Sequence, residues 1–549
     1  MNKFLYFCVL FVFVASYFKV PLLFFQQDEI LGLGFFIKEG SRIIFSGFGS
    51  GGITHFVPVT MSISYSIFSL FGLNYSVFNL LSLLLHFINT LLVYALGKRI
   101  FKNKLTPFIA VLIFISSNVA AELLMWPVIN LNVISLTFSL LAWLVVIDGN
   151  FLKNIKGYFR MIFVTILFLL SLFSVEYSAG FAIFIPVAYC LLNPGKIKLK
   201  LIRLSPFILT SFIYFLFRII PIVGSKGLSG VAATNEIPIY LRWIVLMPRY
   251  FGQLFFGQPI ILLISRLIGE ITGPAYEFEL YVETKVFPLT AFYLGAAIIA
   301  ISVFIYRKFK EIRKTYSSMF LLTVLMIAFS SLPFLLVPGA ASSFTIFPSR
   351  YMYFGLVGLA LYLGFINDYF LEKRKTKGPM IILCFTILLI VSGTVGNYQK
   401  GKSLFQIGQL RLKIIKSIDS NISIIPQKLI IYTESDTSYY GLPAEEKILP
   451  FQSGFGQTLL LFLNQKGKFP RDFFPGDYLW EIKSQGYKEF QERGFGYFRN
   501  FDLMVKIIQE HKLEKESVFA YRFNSSSNTL TDITREVRDK IGAEMVKSK

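Results

Sequence analysis

The stretch SVFNLLSLLLHFINTLLVYALGKRIFKNK, residues 76 to 104, decides the class of the molecule. From 76 to 97 it carries no Asp, Glu, Lys or Arg, and then Lys98, Arg99, Lys102 and Lys104 follow within seven positions. A helix rises about 1.5 Å per residue, so roughly 20 apolar residues cross a hydrocarbon core of about 30 Å. A basic cluster at one end marks the cytoplasmic side. The same unit recurs along the chain. Eleven spans are expected, at residues 4 to 25, 76 to 97, 105 to 121, 131 to 147, 160 to 174, 178 to 192, 201 to 221, 286 to 306, 317 to 337, 351 to 370 and 379 to 396. Two more apolar runs, 56 to 71 and 243 to 268, are interrupted by Pro58, Pro248, Arg249, Pro259 and Arg266 and are ambiguous: each reads as an interfacial or re-entrant helix, and an extra span at either would shift the count.

The composition agrees. Of 549 residues, 54% are hydrophobic and 16% charged, and the mean hydropathy is +0.62, too apolar for a water-soluble protein of this length. The 61 Phe and 28 Tyr suit lipid-facing surfaces and interfacial belts. A net charge of +22 raises the question of nucleic acid. The basic residues lie in short clusters between apolar runs rather than on one face of a soluble domain, so no nucleic-acid partner is expected and membrane lipids are. Cys8, Cys190 and Cys384 all lie in apolar segments, which leaves neither a disulfide framework nor a CxxC metal site.

Five basic clusters set the orientation: Lys98 to Lys104; Lys153, Lys156 and Arg160; Lys196, Lys198, Lys200 and Arg203; Arg307, Lys308, Lys310, Arg313 and Lys314; and Lys373, Arg374, Lys375 and Lys377. With Lys3 inside, an eleven-span path puts them all in the cytoplasm. Residues 26 to 54, 122 to 130, 175 to 177, 222 to 285, 338 to 350 and the tail then lie outside. The apolar run after Lys3 lacks a small-x-small cleavage site and reads as a retained first helix rather than a signal peptide. The expected location is an inner, plasma-type membrane.

From about residue 397 the composition turns polar. Strand-like segments at 429 to 432 and 518 to 523 and helical patterns at 456 to 464, 501 to 511 and 532 to 541 describe a small extracytoplasmic α/β domain. The fold class is therefore a mostly α, polytopic transmembrane helical bundle of about eleven spans, residues 1–397, followed by a soluble C-terminal domain, 398–549. Asn524-Ser525-Ser526 matches a glycosylation sequon, a pattern short enough to arise by chance.

Chemistry-bearing residues collect on the outer side. Asp28 and Glu29 end the sequence Phe24-Phe25-Gln26-Gln27-Asp28-Glu29 just past the first span, where a carboxylate meets both water and headgroups. A Gly-rich stretch then leads to His55-Phe56-Val57-Pro58, with His55 read either as a substrate contact or as part of a turn. Glu122 and Glu176 stand at helix ends, where a carboxylate lines a cavity, pairs with a cation or is solvated in a turn. His86 shares a stripe with Asn79, Ser82, Asn89 and Thr90 at spacings of three or four, a pattern that holds membrane helices together. Arg350 opens the tenth span, with Tyr351 and Tyr353 after it as belt residues or sugar platforms. Arg242, Arg249 and Arg266 lie in the long segment 222 to 285, which either shapes a cavity or rests on headgroups.

The order Asp-Glu after the first helix, His-x-x-Pro, a short apolar helix, Phe71-Gly72-Leu73-Asn74 and then Asn79 to His86 resembles membrane glycosyltransferases of the GT-C class. The nearest likeness is to protein O-mannosyltransferases and their bacterial relatives, glycosyltransferase family 39. Trp126-Pro127, Ser174-Val175-Glu176-Tyr177-Ser178 and Pro348-Ser349-Arg350-Tyr351-Met352-Tyr353 extend it over about residues 1 to 400. The resemblance implies transfer of a sugar from a polyprenyl-phosphate donor, at the outer membrane face, to a protein, lipid or polysaccharide acceptor. It makes Asp28 the general base, with Glu29 as alternative or support, and Arg350 the holder of the lipid phosphate. His55, Glu176 and Tyr351 become substrate-binding residues. Neither a Trp-Trp-Asp signature nor a metal-binding Asp-x-Asp is present, so no metal ligand is assigned; a divalent ion at Asp28-Glu29 is compatible but not required. A transporter or flippase of lipid-linked glycans is the alternative, and would show broken helices at matching places in two halves. An envelope scaffold would need no carboxylate and arginine on one side.

Overall fold

The computed structural model describes residues 2–46, 56–126, 131–147, 157–193, 195–224, 239–273, 278–308, 317–336, 347, 349–372, 378–436, 451, 454–474, 478–479 and 485–547. By internal contacts the chain divides into two compact units. The first comprises Met1–Val20, Ile44–Ile63 and Asn79–Gly401, and the second Pro21–Ile43, Ser64–Phe78 and Lys402–Lys549. The shift to polar composition predicts one boundary, at 397/398. The second unit also takes in the segment holding Asp28 and Glu29.

All eleven expected spans are helical. Seven coincide with helices long and apolar enough to cross a membrane: Lys3–Leu22, Tyr75–Ile100, Ile197–Arg218, Val282–Lys308, Ser318–Leu335, Ser349–Leu371 and Ile382–Asn421. An eighth, Leu241–Thr272, is the run expected to be interfacial or re-entrant. The expected span 105 to 121 is a pair, Thr106–Ser116 and Asn118–Leu124, bent by 51° where Ser117 leaves the helix and caps the second piece through its hydroxyl. Leu131–Ile147, Tyr158–Leu172 and Glu176–Leu192 are shorter, and Pro58–Phe71, at 14 residues, is too short to cross. The chain is an integral, multi-pass membrane protein. Of the basic clusters, Lys153, Lys156, Lys310 to Lys314 and Lys373 to Lys377 lie outside the described residues.

Within the first unit, polar side chains join helices that lipid alone would not press together. Ser171 meets the hydroxyls of Ser135 and Ser139, each at 2.7 Å. The stripe on Tyr75–Ile100 is buried throughout. His86 Nδ1 lies 2.7 Å from the Tyr353 hydroxyl, and Asn89 donates to the Val133 carbonyl at 3.1 Å. Buried Asp368 accepts from Thr106 Oγ1 and the Asn103 N–H, both at 2.9 Å, and from the Lys102 N–H at 3.2 Å, so one carboxylate fixes a whole inter-helix turn. The helix Ile239–Thr272 breaks at Gly257, where φ is 72° and ψ 152°. Pro259 lies just beyond it. The first half crosses Phe287–Lys308 at backbone contact: a Cβ on Gly295 would sit 1.7 Å from the Pro248 carbonyl oxygen, and one on Gly252 2.0 Å from that of Ala291.

In the second unit a five-stranded sheet has the order β2-β3-β1-β4-β5. The strands are β1 Lys428–Ser435, β2 Gly486–Phe490, β3 Arg493–Phe498, β4 Val518–Asn524 and β5 Thr529–Asp532. β1 is parallel to both β3 and β4, and the edge strands β2 and β5 pair antiparallel. As the central strand, β1 reads as a near-continuous apolar run, Leu429 to Tyr432. Ile430, Phe498, Met504, Ile508, Val518, Val537 and Ile541 form the core between the sheet and the helices Phe501–Glu510 and Thr534–Lys547. The helix Phe455–Gly467 completes the domain.

Candidate functional site

The short 3-10 turn Ser349–Met352 opens the helix Tyr353–Glu372 in the first unit and carries Arg350. The Arg350 guanidinium carbon lies 5.2 Å from the ring centres of both Trp126 and Tyr351. Tyr351 packs on Tyr177 with ring centres 4.7 Å apart, and both rings meet Phe334. The backbone is pinned by Asn132, whose side chain donates to the Arg350 carbonyl at 3.4 Å. The structure thus brings together three segments singled out separately in the sequence, around Trp126, Tyr177 and Arg350. Chemically this is a cation walled by aromatic faces, suited to hold an anionic oxygen at one side and a flat ring at the other.

Glu176 stands one residue before Tyr177 and is committed to neighbours. Its Oε1 accepts from Arg218 Nη2 at 2.6 Å and from the Phe56 N–H at 3.2 Å. The same layer holds Val59 N–H to the Phe173 carbonyl at 3.1 Å and Thr60 Oγ1 to that of Ser174 at 3.0 Å. Glu176 therefore ties the residues following His55 to the turn before Tyr177. His86 is packed among Phe13, Tyr17, Phe114 and Tyr353, an inter-helix role. Glu122 lies within electrostatic reach of Lys400.

In the second unit Asp28 and Glu29 fall in the first turn of the helix Gln27–Glu39, where a carboxylate favours the N-terminal end of the helix dipole. Glu29 is fully buried and its carboxylate accepts the Gln26 N–H, closing a capping box. Arg411, 1% exposed, lies within electrostatic reach of Glu29 and donates to the Phe25 carbonyl at 3.3 Å. Glu29 is thereby a structural carboxylate in this geometry. The Asp28 side chain and the whole of His55 lie outside the described residues.

Sequence reasoning missed Arg218 and Arg411, whose partners lie 42 and 382 positions away; neither position shows a local pattern. Among the described residues no group of three or more His, Cys, Asp or Glu side chains is gathered to hold a metal ion.

No protein-family profile and no curated protein matches the chain. The crystal structure of ArnT from Cupriavidus metallidurans in the apo state aligns over 95% of this chain and 93% of its own, at 11% identity and a TM-score of 0.29. At that TM-score the alignment carries no argument about fold or chemistry.

Proposed function

We propose that the chain is a GT-C-type glycosyltransferase that moves a sugar from a polyprenyl-phosphate donor to an acceptor at the outer membrane face. One observation carries most weight: Arg350, at the mouth of a membrane helix, lies over Trp126 and Tyr351 at 5.2 Å each, beside Tyr177. A lipid phosphate brings negative charge to that depth, and a sugar brings a face that aromatic rings cover. In the reaction the acceptor oxygen bonds to the anomeric carbon as the bond from that carbon to the phosphate oxygen breaks. Asp28 takes the acceptor proton. Arg350 receives the charge left on the lipid phosphate, bidentately where geometry allows. A cytoplasmic N-terminus and an extracytoplasmic C-terminal domain are part of the proposal, since a nucleotide-sugar donor would be met on the other side.

The test is incubation of the purified protein with radiolabelled polyprenyl-phosphate sugars and envelope extract. Label transferred to any acceptor, or to water, supports the reading; label that stays on the lipid through complete turnover conditions removes it. The break at Gly257 and the 51° bend at Ser117 favour a second reading, a lipid-linked glycan transporter, because transporters are built on discontinuous helices. Reconstituted vesicles separate the two. A transporter moves intact labelled lipid across the bilayer without transfer.

A further inference from the structure

The sheet of the second unit contains a crevice that the transfer chemistry does not use. The chain leaves β1 for β3 on one side and then crosses to β4 on the other, so the strand order reverses about β1. Open α/β sheets bind ligands outside the carboxyl ends of the strands at such a reversal. A cavity of about 390 Å³ lies there, lined by Glu434, Ser435 and Asp436 from the end of β1, Arg499 from the end of β3, and Arg522, Phe523 and Asn524 from β4. Its size falls within the range of small-molecule pockets.

Most of its charges are already matched. Glu434 pairs with Arg522, which also reaches Glu536 at 3.2 Å. Asp436 accepts from the Ser525 N–H at 2.9 Å and the Ser525 hydroxyl at 2.9 Å. The Asn524 side-chain oxygen, Oδ1, accepts from the Ser526 hydroxyl and the Ser527 N–H. Arg499 differs. Among the described residues its Nε and Nη1 are buried without a hydrogen-bond partner, although its backbone N–H is held at 2.9 Å by Gln485. Buried charged donors left unmade are expensive, and each guanidinium N–H is a strong donor to a carboxylate or phosphate oxygen.

We propose that this crevice binds a sugar unit bearing one anionic group, with the anion on Arg499 and the sugar hydroxyls on Glu434 and Asp436. Two flanking carboxylates repel a polyanion such as nucleic acid or polyphosphate, but accept hydroxyl protons. Phe523 supplies an apolar wall for the ring. The proposal does not rest on the transfer reaction, and its test uses no donor lipid.

The full-length protein in detergent is titrated with glucuronic acid, glucose 6-phosphate, glucose and inorganic phosphate, and binding is read by calorimetry and ligand-observed NMR. One of the two acidic sugars binds roughly 10- to 100-fold tighter than glucose, the worth of a hydrogen bond to a charged group, and which of them does so separates carboxylate from phosphate recognition. Arg499→Lys weakens that binding about tenfold although charge is kept, Arg499→Met abolishes the preference for the acid, and the exposed Arg471→Gln changes nothing. Without ligand, Arg499→Met unfolds no earlier than the parent, because it removes orphaned donors; if it does unfold, Arg499→Lys decides. Glucose binding as well as the acids, inorganic phosphate matching glucose 6-phosphate, no binding of either acid, or unchanged binding in Arg499→Lys would each overturn the proposal.

Discussion

Replacing Glu176 tests whether this carboxylate is a strut or a substrate contact. Its Oε1 is shared between Arg218 Nη2 at 2.6 Å and the Phe56 N–H at 3.2 Å, with the Arg218 and Glu176 side chains 17% and 21% exposed. Fully exposed pairs contribute about 0.2–1 kcal/mol, and breaking a fully buried one costs about 3–5 kcal/mol. At one-fifth exposure the pair falls between, at about 2 kcal/mol after discounting for solvent screening. Glu176→Gln keeps an acceptor for the Phe56 N–H and loses the charge, so it costs about 1–2 kcal/mol. Glu176→Ala loses both and costs about 3 kcal/mol. Arg218→Met is the partner substitution, and a double-mutant cycle in mixed-micelle unfolding should give a coupling of about 1–2 kcal/mol. Sugar transfer per folded molecule should fall little in Glu176→Gln. Full stability with abolished transfer, or strictly additive single substitutions, would refute the strut.

Asp28→Asn should lower turnover about 10²- to 10⁴-fold with folding and donor binding intact, the usual worth of a general base, whereas Glu29→Gln should appear first as loss of folded protein, because it leaves Arg411 buried beside a neutral partner; single-turnover assays and detergent thermal melts of the two variants check the ranking. Arg350→Lys should weaken donor binding about tenfold or more, since an ammonium replaces neither the fork nor the stacking on Trp126; equal donor affinity measured by lipid competition removes Arg350 from the site. Gly295→Val should cost about 3 kcal/mol or more, as no rotamer moves a Cβ away from the Pro248 carbonyl, and size-exclusion yield and melting temperature report it. Hydrogen bonds from Lys428 hold the Glu489 carboxyl below the usual carboxylate range, and those from Lys540 and then Arg522 do the same for Glu536. Carboxyls depressed in the folded state add stability that is present above the unfolded value, near pH 4.3, and lost as pH falls through the folded one. The C-terminal sheet should therefore loosen below about pH 4.3, and the double variant Glu489→Gln, Glu536→Gln should begin less stable and decline less on acidification, as followed by circular dichroism.

The spans were legible because the signal is local. Twenty uncharged residues ending in Lys98 and Arg99 announce themselves without reference to any partner. The His86 stripe was legible for the same reason, since its spacing lies within one helix. The β2–β3 hairpin was not. Its two-residue turn is Gln491-Glu492, both at positive φ, 48° and 64°, where such turns ordinarily signal themselves with Asn or Gly. The helical run through Pro248 and Pro259 reads as interrupted, yet two prolines bracketing a glycine leave helix on either side. At the site, the grouping of Trp126, Tyr177 and Arg350 could be suspected from common sidedness. The commitment of Glu176 to Arg218 and of Glu29 to Arg411 depends on distant packing, which no local spacing encodes.

Gly257 sets how much straight helix the chain has to place. The 34 residues of Ile239–Thr272 would make a straight rod of about 51 Å, well beyond the roughly 30 Å needed to pass a bilayer. The backbone at Gly257, at φ 72° and ψ 152°, is one that a residue with a side chain adopts only under strain. It divides the rod into pieces of about 27 Å and about 22 Å. One residue without a side chain thus turns a helix too long for the membrane into two that are each shorter than the membrane is thick.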